Sequence, residues 1–439
     1  MCVSAKTNSF LLLTPLLLVA GCAGDDPTVA IRDMAALPAA SATGSTALRG
    51  EVDRIEQAGH TPLGLMPPLP DPGDNGAAIF SNAMGDALRK QMVTKLLALT
   101  PKERFEFDIV QLEKVRKAMQ TGWSIRQQLD KADAAPAFAF QVAYDLGFFG
   151  KMRFLDDAAV ACRLHALAAA PALANGEIET ALDELELAMR WADRLAQVKR
   201  VEARLLAAQL RGMCLSIVES MAGAEAGRPG SLLPPRFTPQ LADTERMYAL
   251  VRRSLADWPD DAGPLIGDRA VVMHSYEAIR QGMFDRLVTV AERAQLQRLG
   301  RLDRMTRMPP AEIDADELAY LEAMAKLIAM AGRPHYERAS AVQEALAPFE
   351  PGGANADRAP LAAQLFLPGL GYAVREMARD RAVCEGWAIA LAAAGGLDLP
   401  PFKVNPATGV EYEVERTPDR LIVRLGDDEV RDPVVKPLP

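Results

Sequence analysis

Glu177-Ile178-Glu179-Thr180-Ala181-Leu182 follows Asn175-Gly176 and opens the stretch that decides the fold. Beyond it Leu182, Leu185, Met189 and Leu195 recur at helical spacing and share one face. Val198, Val201, Leu205, Ala208 and Leu215 extend that face, while Glu184, Glu186, Arg190, Asp193 and Arg194 lie mainly off it. An apolar stripe backed by charge is an amphipathic helix that must bury its stripe on neighbours. Between Gly176 and Gly212 no Gly or Pro marks a turn, so one long helix and two shorter ones both fit. Gly176, Ala181, Leu185 and Ala188 resemble the middle of a tetratricopeptide unit. The rest of that signature is missing: Pro171 interrupts the preceding helix, and no copy follows roughly 34 residues on. The expected fold is mainly α, built of helical hairpins rather than a true repeat array.

The same periodicity runs outward in both directions. Ala78, Ile79, Met84, Leu88, Met92, Leu96 and Leu97 precede it, and Thr100-Pro101-Lys102-Glu103 reads as a capped helix start. Ile109, Leu112, Val115 and Met119 continue the helical spacing. Phe138, Phe140, Tyr144, Phe148, Phe149 and Phe154 crowd one stretch, read as a helix whose rings form a core knot, with an apolar-ligand cleft as the sharper alternative. Gly- and Pro-rich 222–238 is a possible sub-boundary. Helices are then expected over 239–258, 268–283 and 284–304, and from Pro309-Pro310. There Asp314 and Asp316 suit a helix start better than a calcium loop. A last helix, kinked around Pro368-Gly369, ends at Gly395-Gly396.

After it the period changes to two. Val410, Tyr412 and Val414 alternate with glutamates, Thr417-Pro418-Asp419 turns the chain, and Leu421, Val423 and Leu425 alternate again. That is a small C-terminal β-hairpin, which must pack on the preceding helix because a lone hairpin is marginal in water.

Composition limits the function classes. The chain has 439 residues, a net charge of −9 and 6% aromatics. Such an acidic chain is a poor binder of nucleic acid. Four histidines show no His-Glu-x-x-His spacing, and there is no Cys-x-x-Cys, hydrolase elbow or phosphate loop. No cofactor, metal site or catalytic residue is assigned. Cys162, Cys214 and Cys384 sit in apolar helical settings and read as buried hydrophobes, with one disulfide among them left open. His165, between Leu164 and Ala166, reads as a core or boundary residue. His274 and Tyr276, in a polar run, and Phe148 and Phe149 are the candidates for a cleft.

The N-terminus carries an address. Lys6 is followed by the apolar run 10–20, too short to span a bilayer, and by Val19-Ala20-Gly21-Cys22. This ending resembles the lipobox of bacterial lipoproteins. The resemblance implies cleavage between Gly21 and Cys22, fatty acylation of Cys22 and export to the cell envelope. Ala23 follows the cysteine where aspartate would favour inner-membrane retention, so the outer membrane is preferred.

Residues 22–74, rich in Ala, Gly and Pro, read as a flexible tether within which 47–57 can form one short helix. Residues 75–396 read as the helical domain and 397–439 as the hairpin and tail. Pro72-Gly73-Asp74-Asn75-Gly76-Ala77-Ala78-Ile79-Phe80, the helices around Gly176–Leu182, and Asn405-Pro406-Ala407-Thr408-Gly409-Val410-Glu411-Tyr412 together resemble uncharacterised helical bacterial envelope proteins. Asn405 stands where those have aspartate, and Gly76 where they have alanine. The expected role is a lipid-anchored envelope module that binds other envelope proteins. The alternatives are an enzyme whose site assembles from scattered residues, or a carrier of an apolar ligand.

Overall fold

The computed structural model describes residues 44–438 apart from 102–103, 122, 225, 227–228 and 235–236. The signal and lipobox expected over 1–22 lie outside the described residues. Sixteen α-helices and one three-stranded sheet form the regular structure of the described residues.

In chain order the first helices are α1 (Thr46–Gln57), α2 (Gly76–Ala83), α3 (Asp86–Leu99), α4 (Ile109–Thr121), α5 (Trp123–Asp133), α6 (Arg153–Asn175), α7 (Ile178–Ala196) and α8 (Val201–Met221). A loop leads to α9 (Leu241–Ala256), α10 (Ala262–Arg280) and the short α11 (Phe284–Leu287), α12 (Val290–Arg298) and α13 (Leu302–Thr306). Then come α14 (Pro310–Met330), α15 (His335–Leu346) and α16 (Leu370–Gly395). Strands β1 (Glu413–Arg416), β2 (Leu421–Arg424) and β3 (Val434–Val435) follow, antiparallel and in that order.

Two apolar clusters hold the body. One joins α6, α7, α8, α9, the end of α16 and the sheet through Leu164, Leu185, Trp191, Cys214, Met247, Leu391 and Leu421. The other joins α1, α10, α14, α15 and the start of α16 through Leu48, Tyr276, Tyr320, Leu327, Val342 and Val374. Helices α8, α10 and α16 give residues to both clusters. Met247, Leu250 and Val251 after the 222–238 break share a cluster with Ile217 and Val218 before it. The chain on either side of that break thus packs into the same apolar cluster.

Several local expectations change. Part of the tether expected over 22–74 is folded into the core: Leu48, Val52 and Ile55 of α1 are buried and α1 packs on α14. Helix α6 runs through Pro171, which sits in its last turns near Asn175. The stripe beginning at Leu182 belongs to two helices. The chain is extended at Arg200 (φ −142°, ψ 137°), which separates α7 from α8. No helix starts at Thr100; its hydroxyl donates to the Leu96 carbonyl and closes α3 (Lys102 and Glu103 lie outside the described residues). Helix α4 starts at Ile109 instead, where Asp108 accepts from the Gln111 N–H and Gln111 returns the bond. The expected 284–304 helix is the three short helices α11, α12 and α13.

The aromatic stretch is not an α-helix. Residues 138–143 are irregular and Tyr144–Phe149 is a 3₁₀ turn. Asn75 holds the start of that stretch, accepting from the Ala139 N–H and donating to its carbonyl. The rings nonetheless form a core knot, since Phe80 and Phe138 meet Trp191 edge-on at 5.5 and 4.8 Å. At the C-terminus Leu421, Val423 and Leu425 are buried, and Leu425 reaches Gly386 of α16. The hairpin packs on the preceding helix as its alternation requires.

Candidate functional site

Two of the four cleft candidates, Tyr276 and Phe148, meet on a common ring, and His274 lies against the turn that carries Phe148. His274 and Tyr276 lie on α10 and are buried. Gly147 in the 3₁₀ turn has φ +53° and presses on the His274 ring, so an added Cβ would lie 2.3 Å from Nδ1. Burial holds the His274 imidazole below its ordinary pKa. The Tyr276 hydroxyl donates to Asp316 at 2.6 Å, and its ring lies 5.2 Å from Phe366. Phe148 stacks on the same Phe366 at 6.3 Å. The Phe149 side chain lies outside what is described.

Charge surrounds this aromatic group. Asp316 also accepts from the Leu361 and Ala362 N–H groups, and burial still pushes its carboxyl up to about 6. Arg200 donates to Asp268 at 2.8 Å and to Glu202 at 3.1 Å. Burial, with Glu202 as a second cause, pushes Asp268 up to about 7. Asp314 instead accepts from Arg280, so the two aspartates of 314–316 serve different partners. Among the described residues no group of three or more His, Cys, Asp or Glu is placed to hold a metal ion.

His165 is likewise interior. Its ring nitrogens bond Glu184 at 2.8 Å and Asp133 at 2.9 Å, and Trp191 donates to the same Asp133. Burial disfavours the charged ring, but these two carboxylates outweigh it and raise its pKa. It ties α5, α6 and α7 together.

An open feature lies elsewhere, between α7 and α9. A cleft of about 210 Å³ is lined by Glu186, Met189, Arg190, Asp193, Arg194 and Gln197 of the α7 side and by Leu250, Arg253, Ser254 and Asp257 of the α9 side. Met189 and Leu250 are buried and make its floor, while Gln197, Arg253 and Asp257 are exposed. Its volume is below the roughly 300 Å³ of an ordinary small-molecule pocket. It can take side chains of a partner more readily than a whole cofactor.

The charges of the cleft are fixed in place. Arg253 donates to Glu186 at 2.7 Å and holds its carboxyl below the usual range. Asp193 accepts from Ser254 at 2.6 Å and from Arg211 at 3.1 Å, and Arg211 forks onto Asp380 behind it. Gln197 donates to the Asp257 carbonyl and ties the two walls at one end. Arg194 lies 3.9 Å above the Phe138 ring, and burial, with Arg190 beside it, lowers its pKa to about 10. Its Nη1 is buried with no hydrogen-bond partner among the described residues.

Sequence reading missed the cleft. Glu186, Arg190, Asp193 and Arg194 stand out only as the charged back of the α7 stripe, which is normally a solvated face. Their opposite wall comes from α9, some sixty residues later. No family model matches this chain, and no curated protein or solved structure matches it. No helix among the described residues is long and apolar enough to cross a membrane.

Proposed function

We propose that the chain is a lipid-anchored protein of the bacterial envelope whose helical body binds another envelope protein. The anchor half rests on Lys6, the apolar run 10–20 and Val19-Ala20-Gly21-Cys22. Fatty acids on Cys22 hold the chain to a membrane, the outer one by preference. Between Cys22 and α1 only 23–45 remain as spacer. Fully extended they reach about 80 Å, so the body stays near the membrane.

The observation that carries the binding half is the α7–α9 cleft. Its apolar floor and rim of both charges suit a polypeptide, which offers apolar and charged side chains together. A nucleic acid or an anionic lipid surface would call for an excess of positive charge instead. An envelope enzyme whose site assembles from scattered residues is the second reading, and the acids it would draw on, Asp268 and Asp316, are raised above the ordinary carboxylate range by burial.

The test labels cells with fatty acid and places a photo-cross-linking residue at Arg253 or Gln197. We expect label on the chain that disappears in Cys22→Ala. One discrete cross-linked adduct is expected, at least tenfold weaker when Arg190 is reversed to Glu, with the melting curve unchanged. Unlabelled protein overturns the anchor; adducts indifferent to Arg190→Glu overturn the cleft.

A further inference from the structure

Cys162 on α6 and Cys214 on α8 are fully buried, and their sulfurs lie 3.9 Å apart. A disulfide needs about 2.0 Å. In the structure both are free thiols, so both side chains must move for the bond to close. Helices α6 and α8 pack directly on each other. Beside Cys162 on α6 the buried residues include the small Ala158, Ala159, Ala161 and Ala166 together with the larger Val160, Leu164 and His165. Cys384 lies on α16, close to Asp380 and Arg211.

We propose that in the exported protein Cys162 and Cys214 are joined as a disulfide that staples α6 to α8. The proposal rests on the envelope reading, because an oxidising compartment must supply the oxidant. That oxidant is a disulfide-bearing co-reactant, such as a thiol oxidase or oxidised glutathione. One cysteine thiolate attacks its disulfide, forms a mixed disulfide and releases one thiol. The other cysteine, its proton lost to solvent, then displaces the second thiol. Two cysteine thiols thus give up two protons and two electrons, and the co-reactant ends as two thiols.

Timing follows from burial. In the folded body the adjacent Cys162 and the surrounding apolar atoms push the Cys214 thiol well above its ordinary pKa. Little thiolate forms there and no oxidant reaches it, so the bond closes while the chain is still open during export. It then encloses α7, the inner wall of the cleft, in a loop between residues 52 apart. Closing a loop of that size restricts the unfolded chain and stabilises the body.

The test has two arms. Full-length protein is taken from envelopes with its thiols trapped by alkylation, and its peptides are read by mass spectrometry. Separately, the chain from Cys22 onward is made in a reducing cytoplasm, unfolded, and refolded in oxidised and reduced glutathione. In both arms we expect one linked peptide pair, Cys162 with Cys214, and an alkylated Cys384. Reductant added during unfolding should lower the melting point of the refolded sample by several degrees and leave that of Cys162→Ser unchanged. Free thiols in both arms, or a bond that includes Cys384, would overturn the pairing. A bond in the refolded arm with free thiols in the envelope arm would sink the envelope reading, and with it the staple in the native protein.

Discussion

Asn405 is fully buried, and its side chain makes three hydrogen bonds. Its Nδ2 donates to the Leu425 carbonyl at 2.7 Å, while Oδ1 accepts from the N–H groups of Ala407 at 2.7 Å and Thr408 at 3.3 Å. It therefore builds the turn at 405–409 and ties that turn to the end of β2. Aspartate keeps the two acceptor bonds but puts a second oxygen against the Leu425 carbonyl. A buried group left without its partner costs about 1–3 kcal/mol, and more if charged. Asn405→Asp is expected to lower stability by about 3 kcal/mol at neutral pH, with part of the loss recovered in acid as the carboxyl protonates. Urea midpoints at two pH values check this, and a midpoint equal to the wild type would show that the donated bond contributes little.

At the scale of elements, one contact places α10. Gly267 lies against the corner between α7 and α8, where an added Cβ would come 1.5 Å from the Lys199 carbonyl oxygen. Only a residue without a side chain lets α10 approach so closely. Gly267→Ala must push the two backbones apart and is expected to cost about 3 kcal/mol. Gly263, one turn earlier on the same helix, is the control. Its added Cβ would meet nothing closer than 3.6 Å. Gly263→Ala should be neutral or stabilise by up to about 1 kcal/mol through helix propensity. Thermal unfolding of both variants decides the matter, and equal melting points would remove the close-approach argument. This corner also marks what the sequence leaves hidden. The α7 stripe, the stop at Gly395-Gly396 and the β1–β2 hairpin are legible, because periodicity and turn residues are local. The break at 197–200 is not, since no Gly or Pro is there. Arg200 is held extended by Asp268 and Glu202, and Asp268 is distant in sequence. Phe138 to Phe149 misled in the same way. Tertiary bonds from Asn75 hold the chain out of a helix there, and no residue within the stretch announces them. The cleft was hidden for a third reason: one wall alone looks like a solvated face.

For the whole molecule the long links are charged. Arg211 on α8 and Asp380 on α16 are 169 residues apart, and both are buried. The guanidinium forks onto the carboxylate at 3.2 and 2.6 Å, bonds Asp193 at the cleft, and lies 4.4 Å from the centre of the Trp258 ring. This one side chain thus connects the core helices to the cleft wall at Asp193. Such pairs are costly to bury, so their value lies less in net stability than in what a broken pair would cost. Asp380→Ala leaves Arg211 buried with only Asp193, and is expected to lower stability by about 3–5 kcal/mol. Replacing both partners with apolar residues, Arg211→Met with Asp380→Leu, should cost markedly less than Asp380→Ala alone. The double variant leaves Asp193 to hold Ser254 only, so the cleft wall should loosen even where the body is stable. A cross-linker at Arg253 should then lose its discrete adduct in the double variant while the melting point stays near the wild type. If adduct and stability fell in step instead, the pair would serve the fold alone, and the link from core to cleft would be discarded.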